Sequence, residues 1–146
     1  MPEQGDRYVG MTLIEAENAI VEEFSMYEEW LDKYEYLIEL GKALQDYPEA
    51  AKTDDRLIKG CQSRVWLDYK VEDGKIVFNA DSDAIITKGI ISLLIGLYSG
   101  RTAQEILSSD FSVVEKIGLK ENLSPTRANG LVSMIAKIRE VATLNV

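Results

Sequence analysis

The sequence predicts a single α+β domain in which helices pack on a small antiparallel β-sheet. Three observations predict this fold class. The chain has 146 residues, which is about the length of one domain. Apolar residues recur at helical spacing over most of the chain, but in one short stretch after residue 64 they alternate with polar ones. An Asp-Gly dipeptide follows that stretch, as is typical of the turn between two antiparallel strands.

Two amphipathic helices are predicted before this hairpin. The first covers Thr12 to Met26, where Thr12 and Glu15 have the spacing of a capping box. The second begins near Trp30 and carries an aromatic and aliphatic stripe on one side, with acidic residues mostly on the other. The proline-containing segment 46–55 indicates a connection.

The predicted hairpin has a first strand over Arg64 to Val71 and a returning strand over Ile76 to Phe78. Asp73 and Gly74 form its turn. Trp66 is expected to lie in the core. Alternate residues of the first strand share one face, namely Val65, Leu67, Tyr69 and Val71.

The most apolar segment, Ala84 to Tyr98, is predicted to be a buried central helix. It has about 15 residues, fewer than the ~20 that a membrane-spanning helix needs. Asp81, Ser82 and Asp83 offer oxygens that could cap its N-terminus. Gly89 lacks a side chain and would let another element approach closely.

Two short helices are predicted between Arg101 and Gly118. Their starts are indicated by two capping-box spacings, Thr102 with Glu105 and Ser112 with Glu115.

A final helix is predicted to begin at Ser124, the N-cap, with Pro125 at its first helical position. The sequence shows no internal repeat and no low-complexity linker. We therefore expect one domain over residues 12–146, preceded by an N-terminal extension over residues 1–11.

The composition excludes several classes of function. The chain has no His, which excludes Ser-His-Asp and Cys-His catalysis and histidine metal sites. Its one Cys, Cys61, permits no intrachain disulfide, no CxxC redox pair and no iron–sulfur site built from the thiolates of one chain. Residues 1–10 contain no apolar run, so no signal peptide is expected and a cytoplasmic protein is predicted.

The net charge of −9 at pH 7 repels nucleic-acid phosphates, so nucleic-acid binding is not expected. The charge is unevenly distributed. Residues 1–55 contain 15 acids and 4 bases, a sum of −11, whereas residues 56–146 contain 10 acids and 12 bases, a sum of +2. This acidic front has two interpretations: a solvated helical face, or a surface that steers the protein toward a basic partner.

Cys61 is expected in the loop that leads into the first strand. The segment 56–64 around it contains Arg56, Lys59 and Arg64 and no acid. Nearby cations favour a thiolate and lower its pKa, which would activate a thiol without a histidine base. The residues alone leave two interpretations open, because a lone Cys can equally be a small inert hydrophobe.

Five segments that occur in a fixed order carry a resemblance to a known family. They are Tyr34–Gly41, Lys59–Trp66, Asp81–Ala84 with Lys88–Gly89, Tyr98–Thr102 and Leu123–Leu131. Together they resemble the SufE family of cysteine desulfuration proteins, over about residues 12 to 141.

The resemblance implies a sulfur acceptor for a SufS-like, pyridoxal-phosphate-dependent cysteine desulfurase. Cys61 matches the family's acceptor, whose thiolate takes the outer sulfur of the desulfurase persulfide and passes it to a SufBCD-like scaffold for iron–sulfur cluster assembly. The implied protein stimulates the desulfurase, is not a stand-alone enzyme and has no cofactor, since pyridoxal phosphate belongs to the partner. The family fold resembles that of U-type scaffolds, but one Cys is too few to hold a cluster.

The resemblance also implies supporting roles near the thiol. Arg127 would contact the desulfurase or orient the Cys61 loop, although a surface ion pair would explain it equally well. Asp83 and Ser82 match a motif near the acceptor loop, although capping also accounts for them. Gln62 and Ser63 could donate hydrogen bonds to the loop or to the incoming sulfur, and the basic Lys59 and Arg64 complete the expected site.

In the family, the acceptor loop can tuck against an apolar cavity and swing out on docking. Leu57 and Ile58, which precede Lys59 in an otherwise polar loop, motivate the same expectation here.

Two alternative functions stay open at this point. One is a CsdE-like partner of a different desulfurase. The other is a regulatory module that binds a desulfurase through the acidic helices, with Cys61 incidental.

Overall fold

The structure, a computed structural model, describes residues 8, 10–44 and 46–146. Within these residues it contains seven helices and one two-stranded antiparallel sheet, in agreement with the predicted fold class. The helices are α1 (Leu13–Ser25), α2 (Trp30–Lys42), α3 (Ile85–Tyr98), α4 (Ala103–Ser108), α5 (Val113–Lys116), α6 (Leu119–Asn122) and α7 (Pro125–Leu144). The strands are β1 (Val65–Glu72) and β2 (Lys75–Ser82), and short 3-10 turns at Glu49–Ala51 and Asp54–Arg56 precede them.

The helix α1 begins where the sequence predicts. The Thr12 hydroxyl accepts a hydrogen bond from the Glu15 backbone N–H at 3.1 Å, and the Glu15 carboxylate accepts one from the Thr12 N–H at 2.9 Å. This reciprocal pair satisfies two backbone donors that the first helical turn would otherwise leave unpaired. The helix buries one side against the core through Leu13, Ala16, Ile20 and Phe24.

The helix α3 is the centre of the fold, as predicted, and packs between α2 and β2. Ten of its fourteen residues are buried. Gly89 lies where α3 crosses α2, and a Cβ added there would clash with the carbonyl oxygen of Leu37. The Ser92 hydroxyl donates a hydrogen bond to the Leu40 carbonyl at 2.6 Å, which links the same two helices one turn further along.

The hairpin forms as predicted, but its second strand is longer than expected. The register runs from Val65 opposite Ser82 to Glu72 opposite Lys75. Asp73 and Gly74 have φ values of 51° and 76°, the left-handed conformations that a type I′ turn requires.

The predicted capping of α3 is wrong. Its N-cap is Ala84, which has no polar side chain to accept a capping hydrogen bond, because β2 continues through Ser82. The oxygens expected to cap α3 instead hold the residue before β1. The Ser82 hydroxyl donates to the Arg64 carbonyl at 2.8 Å, and the Asp83 carboxylate accepts from the Arg64 N–H at 3.1 Å.

The C-terminal half follows the prediction in part. Thr102 and Glu105 form the expected capping box of α4, and Ser124 caps α7 by accepting from the backbone N–H of its third residue at 3.3 Å. The box predicted at Ser112 is wrong, because Ser112 already has helical dihedrals and makes no cap bond. The short helix α6, which follows the left-handed Gly118, was not predicted.

None of the helices in the described part of the chain combines the length and the apolar character that a membrane span requires. Most of the predicted extension over residues 1–11 lies outside the described residues.

The crossing of α2 and α3 yields a stability prediction. Gly89→Ala should lower the free energy of unfolding by about 1–3 kcal/mol, because the new methyl must displace the Leu37 backbone. The measurement is urea unfolding followed by circular dichroism. In an open helical position the same change would stabilise the protein by up to about 1 kcal/mol, so a stabilised variant would contradict the close crossing.

Candidate functional site

Cys61 lies in a short loop whose base is closed by backbone pairing. Leu57 forms an isolated antiparallel bridge with Trp66. The Ile58 N–H donates to the Val65 carbonyl at 2.8 Å, and the Ile58 side chain is buried. Residues 59–63 therefore project from an anchored base.

The loop lies against one side of α7, where small residues allow close contact. The Cys61 thiol donates to the Gly130 carbonyl, with an Sγ to O distance of 3.6 Å. A Cβ at position 130 would lie 3.5 Å from the same sulfur. Gly60 has a φ of 92°, and a Cβ there would clash with the Ser133 hydroxyl. Position 60 thus requires glycine both for its backbone conformation and for contact with α7.

A cleft of about 70 Å³ lies beside the thiol. Three parts of the fold form it: the Cys61 loop, the first two turns of α3, and the N-terminal half of α7. This volume exceeds the ~15 Å³ that one water-sized group occupies and is far below the several hundred Å³ of a typical cofactor pocket. The lining residues are Cys61, Gln62, Ser63, Thr87, Ile90, Thr126, Arg127, Gly130 and Met134.

The electrostatic environment of the thiol differs from the expectation. Burial raises the pKa of the Cys61 thiol above its ordinary value, whereas the neighbouring cations were expected to lower it. Two of the basic residues that are close to Cys61 in sequence make their contacts elsewhere in the structure. Arg56 contacts the Asp68 carboxylate at 3.3 Å, and the exposed Lys59 lines a separate cleft that does not include Cys61.

The structure brings together some of the predicted site residues and separates others. Gln62, Ser63 and Arg127 line the cleft with Cys61. Lys59, Arg64 and Asp83 do not line it, and Asp83 instead holds the backbone of Arg64 at the base of the loop.

Five lining residues were not predicted as site residues: Thr87, Ile90, Thr126, Gly130 and Met134. For Thr87 the sequence carries a signal, since it is a polar residue among the apolar residues of a helix that is buried almost all round.

The side chains around Cys61 do not form a metal site. In the described part of the chain, no group of three or more His, Cys, Asp or Glu residues could hold a metal ion.

Comparison with known proteins identifies the family. A family model described as "SufE: Fe-S metabolism associated domain" matches residues 18–142. The matched segment includes the Cys61 loop and the whole lining of the cleft.

Two curated relatives support the same family. An uncharacterized SufE-like protein of Rhizobium etli is 43% identical over 128 residues, which cover 84% of this chain and 86% of the relative. An uncharacterized SufE-like protein of Rhizobium meliloti is 41% identical over 128 residues, covering 84% and 91%.

A solved structure shares the fold. The solution structure of a hypothetical protein from Thermus thermophilus superposes with a TM-score of 0.74 at 19% identity, covering 89% of this chain and 95% of that one.

The environment of Cys61 predicts the pH dependence of its reactivity. The midpoint of the alkylation rate of Cys61 by iodoacetamide should lie above the ~8.5 of a free Cys, because burial favours the neutral thiol. The reactive thiolate is therefore scarce at pH 7 and increases as the pH rises. The Lys59→Ala/Arg64→Ala double variant should have the same midpoint as the wild type. A wild-type midpoint below ~8.5 that rises in the double variant would instead show that these cations lower the pKa of Cys61.

Proposed function

The chain belongs to the SufE family, whose domain is associated with iron–sulfur metabolism, and on this premise we propose that it is a sulfur carrier. Cys61 accepts sulfur from a SufS-like cysteine desulfurase, stimulates its turnover by freeing its thiol, and delivers the sulfur to a SufBCD-like assembly scaffold. The observation that carries this proposal is the position of the chain's single thiol, on a projecting loop beside a cleft large enough for one more sulfur atom.

The acceptance step is an exchange between two sulfur–sulfur bonds. The Cys61 thiolate attacks the outer sulfur of the desulfurase persulfide and forms a new S–S bond to it. The old S–S bond breaks, and its electron pair leaves on the desulfurase cysteine, which takes up a proton. The outer sulfur changes partner without net oxidation or reduction, so the step needs no cofactor on this chain.

The loop position of Cys61 supports a gated reaction. Against α7 the thiol is half-buried and donates to the Gly130 carbonyl, so its neutral form is favoured. Moving the loop away from α7 would remove both constraints and increase the thiolate fraction. We propose that docking of the desulfurase releases the loop in this way.

The cleft supports storage of the sulfur after transfer. Ile90 and Met134 are buried side chains of its wall. A persulfide directed into the cleft would be shielded from reductants in solution. The chain has no second Cys that could attack the persulfide and release sulfide. A cytoplasmic location is part of the proposal, since an unpaired thiol fits a reducing compartment.

Arg127 is the exposed cation at the rim of the cleft, in the first turn of α7. We propose that it contacts the desulfurase when the loop docks. Gln62 and Ser63, on the loop itself, are placed to hydrogen-bond the incoming sulfur.

The acidic surface of α1 and α2 supports a second candidate function. Glu22, Asp32, Glu35 and Glu39 are exposed on these two helices. A protein that regulates a desulfurase by binding it through this surface would not need Cys61. A CsdE-like pairing with a different desulfurase is the other alternative, and it has the same sulfur chemistry.

Mass spectrometry tests the carrier function directly. After incubation with desulfurase and cysteine, the intact protein should gain the mass of one sulfur atom, and peptide mapping should place it on Cys61. No other residue of the chain can form a persulfide, so Cys61→Ser is a complete negative control. Unchanged mass beside an active desulfurase would refute the proposal.

The same variant separates the carrier from the regulatory module. Cys61→Ser should fail to stimulate desulfurase turnover, because it offers no thiolate to remove the sulfur. Stimulation equal to wild type would favour the module that binds through α1 and α2.

Substitution of Arg127 tests the docking contact. Arg127→Ala should raise the concentration of carrier needed for half-maximal stimulation by about fivefold, equivalent to ~1 kcal/mol for an exposed ion pair. Lys120→Ala removes an exposed cation outside the cleft and should have no such effect. Equal behaviour of the two variants would exclude a specific role for Arg127.

A further inference from the structure

A second and larger cleft lies at the base of the Cys61 loop. It has a volume of about 490 Å³, which is within the range of roughly 300–1,000 Å³ that binding pockets have. One wall is formed by residues of the segment 54–59, which leads into the loop, and the other by the face of α7 between Ser133 and Glu140. We call this space the loop-base cleft.

The loop-base cleft adjoins the contact that holds the loop on α7. Ser133 belongs to both, because it lines the cleft and its hydroxyl lies close to Gly60. The next residue in the chain, Cys61, donates to the Gly130 carbonyl on the same helix. A partner whose sulfur reaches the thiol is therefore brought next to this cleft.

The proposed sulfur transfer requires a larger contact than the loop alone provides. A specific protein interface covers about 800 Å² on each partner and involves roughly 20–30 residues of each. The projecting part of the loop consists only of residues 59–63. The contact must therefore continue onto the surface around the loop, to which the loop-base cleft belongs. A cleft between α1 and the α4–α5 region, and another on α2, include no residue of the loop.

The charges of the loop-base cleft indicate the chemistry of a group that fits it. Asp54 and Asp55 are exposed on the 3-10 turn, and neither forms an ion pair with a cation in the described part of the chain. On α7, Lys137 and Glu140 contact each other at 3.4 Å, which leaves Lys59 as the other cation of the lining. Carboxylates thus outnumber ammonium groups in the cleft, and the side formed by the turn is negative.

The rest of the lining includes an apolar part. Leu57, Ile58 and Ala136 contribute it. Arg and Lys combine an aliphatic stem with a terminal cation, so one side chain of this type matches both the apolar and the acidic part. A purely apolar group would bring the carboxylates out of water without a partner, which costs free energy.

We propose that the loop-base cleft receives an arginine or lysine side chain of the desulfurase, with the cation against Asp54 and Asp55 and the stem along Leu57 and Ala136. This docking site deepens the proposed function and rests on it. The bound cation anchors the desulfurase beside the loop and so brings its persulfide to Cys61. The cleft takes part in recognition only, and no bond is made or broken in it.

The test measures binding of the full-length protein to the desulfurase by isothermal titration calorimetry, without cysteine, so that no sulfur is transferred. Asp54→Asn/Asp55→Asn keeps the shape of both side chains but removes their charge. It should raise the Kd about fivefold, which is the effect of losing one exposed ion pair. Glu115→Gln/Glu121→Gln removes two exposed carboxylates outside the cleft and should bind like wild type. Equal weakening in both variants would indicate a general attraction between the proteins and would overturn the inference.

Two further measurements test the side chain that enters the cleft. Added salt should weaken binding of the wild type more than binding of Asp54→Asn/Asp55→Asn, because salt screens exposed charges. Ala136→Leu narrows the cleft without changing its charge and should also raise the Kd. Thr143→Leu, at an exposed position of α7 outside the cleft, should not. An unchanged Kd in Ala136→Leu would refute insertion into the cleft.

Sedimentation of the protein alone tests a different occupant, which is a second copy of the chain. The wild type and Asp54→Asn/Asp55→Asn should sediment alike. A wild type that dimerises and a variant that does not would show that the cleft is an interface between copies, and the assignment to the desulfurase would be wrong.

The outcomes separate this docking site from the carrier function. An unchanged Kd in Asp54→Asn/Asp55→Asn, in a protein that accepts sulfur on Cys61, refutes the docking site and leaves the carrier function intact. Conversely, a raised Kd in the variant, together with a wild type that gains no sulfur from an active desulfurase, supports the docking site and refutes the carrier function.

Discussion

The close crossing of α2 and α3 is the constraint on which the rest of the structure depends. It exists because Gly89 has no side chain, so that the Leu37 backbone can approach the α3 backbone directly. The contact is completed by the Ser92 hydroxyl and the Leu40 carbonyl. Because α3 is held at this crossing, the strand and the cleft wall that are attached to it are held in place as well. The strand β2 leads directly into α3, and the first turns of α3 form one wall of the Cys61 cleft.

The same use of missing side chains recurs where the Cys61 loop meets α7. Gly60 contacts Ser133, and Gly130 leaves room for the sulfur. A backbone carbonyl, rather than a cation, is therefore the polar group next to the thiol. A carbonyl oxygen accepts a hydrogen bond from a neutral thiol and repels a thiolate. The site consequently favours the neutral, unreactive form of the thiol, which is why the proposed function includes a movement of the loop.

Local sequence signals predicted much of the fold. The capping boxes at Thr12 and Thr102 and the turn at Asp73-Gly74 depend on residues within a few positions of one another, and the structure has all three. Helix periodicity placed α3 correctly because almost every side of it is apolar.

The failed capping of α3 and the failed prediction for the thiol both depend on contacts between residues far apart in the chain. The oxygens of Ser82 and Asp83 bind the Arg64 backbone, 18 and 19 positions earlier in the chain, instead of capping α3. The family resemblance singled out Cys61 and Arg127, which line the same cleft in the structure, whereas the basic neighbours in sequence did not predict the thiol's environment. Burial raises the pKa of the Cys61 thiol, and no spacing within 56–64 reveals that the thiol packs against α7.

The polar group beside the thiol suits only one of the two chemical states that the proposed function requires of Cys61. An empty carrier has a thiol that donates, and the Gly130 carbonyl is the acceptor that matches it. A loaded carrier has no proton on the inner sulfur and an outer sulfur that readily ionises, so it needs a donor instead. The Gly130 carbonyl cannot donate, so in the proposed function the loading of a single sulfur atom removes the favourable contact between the Cys61 loop and α7.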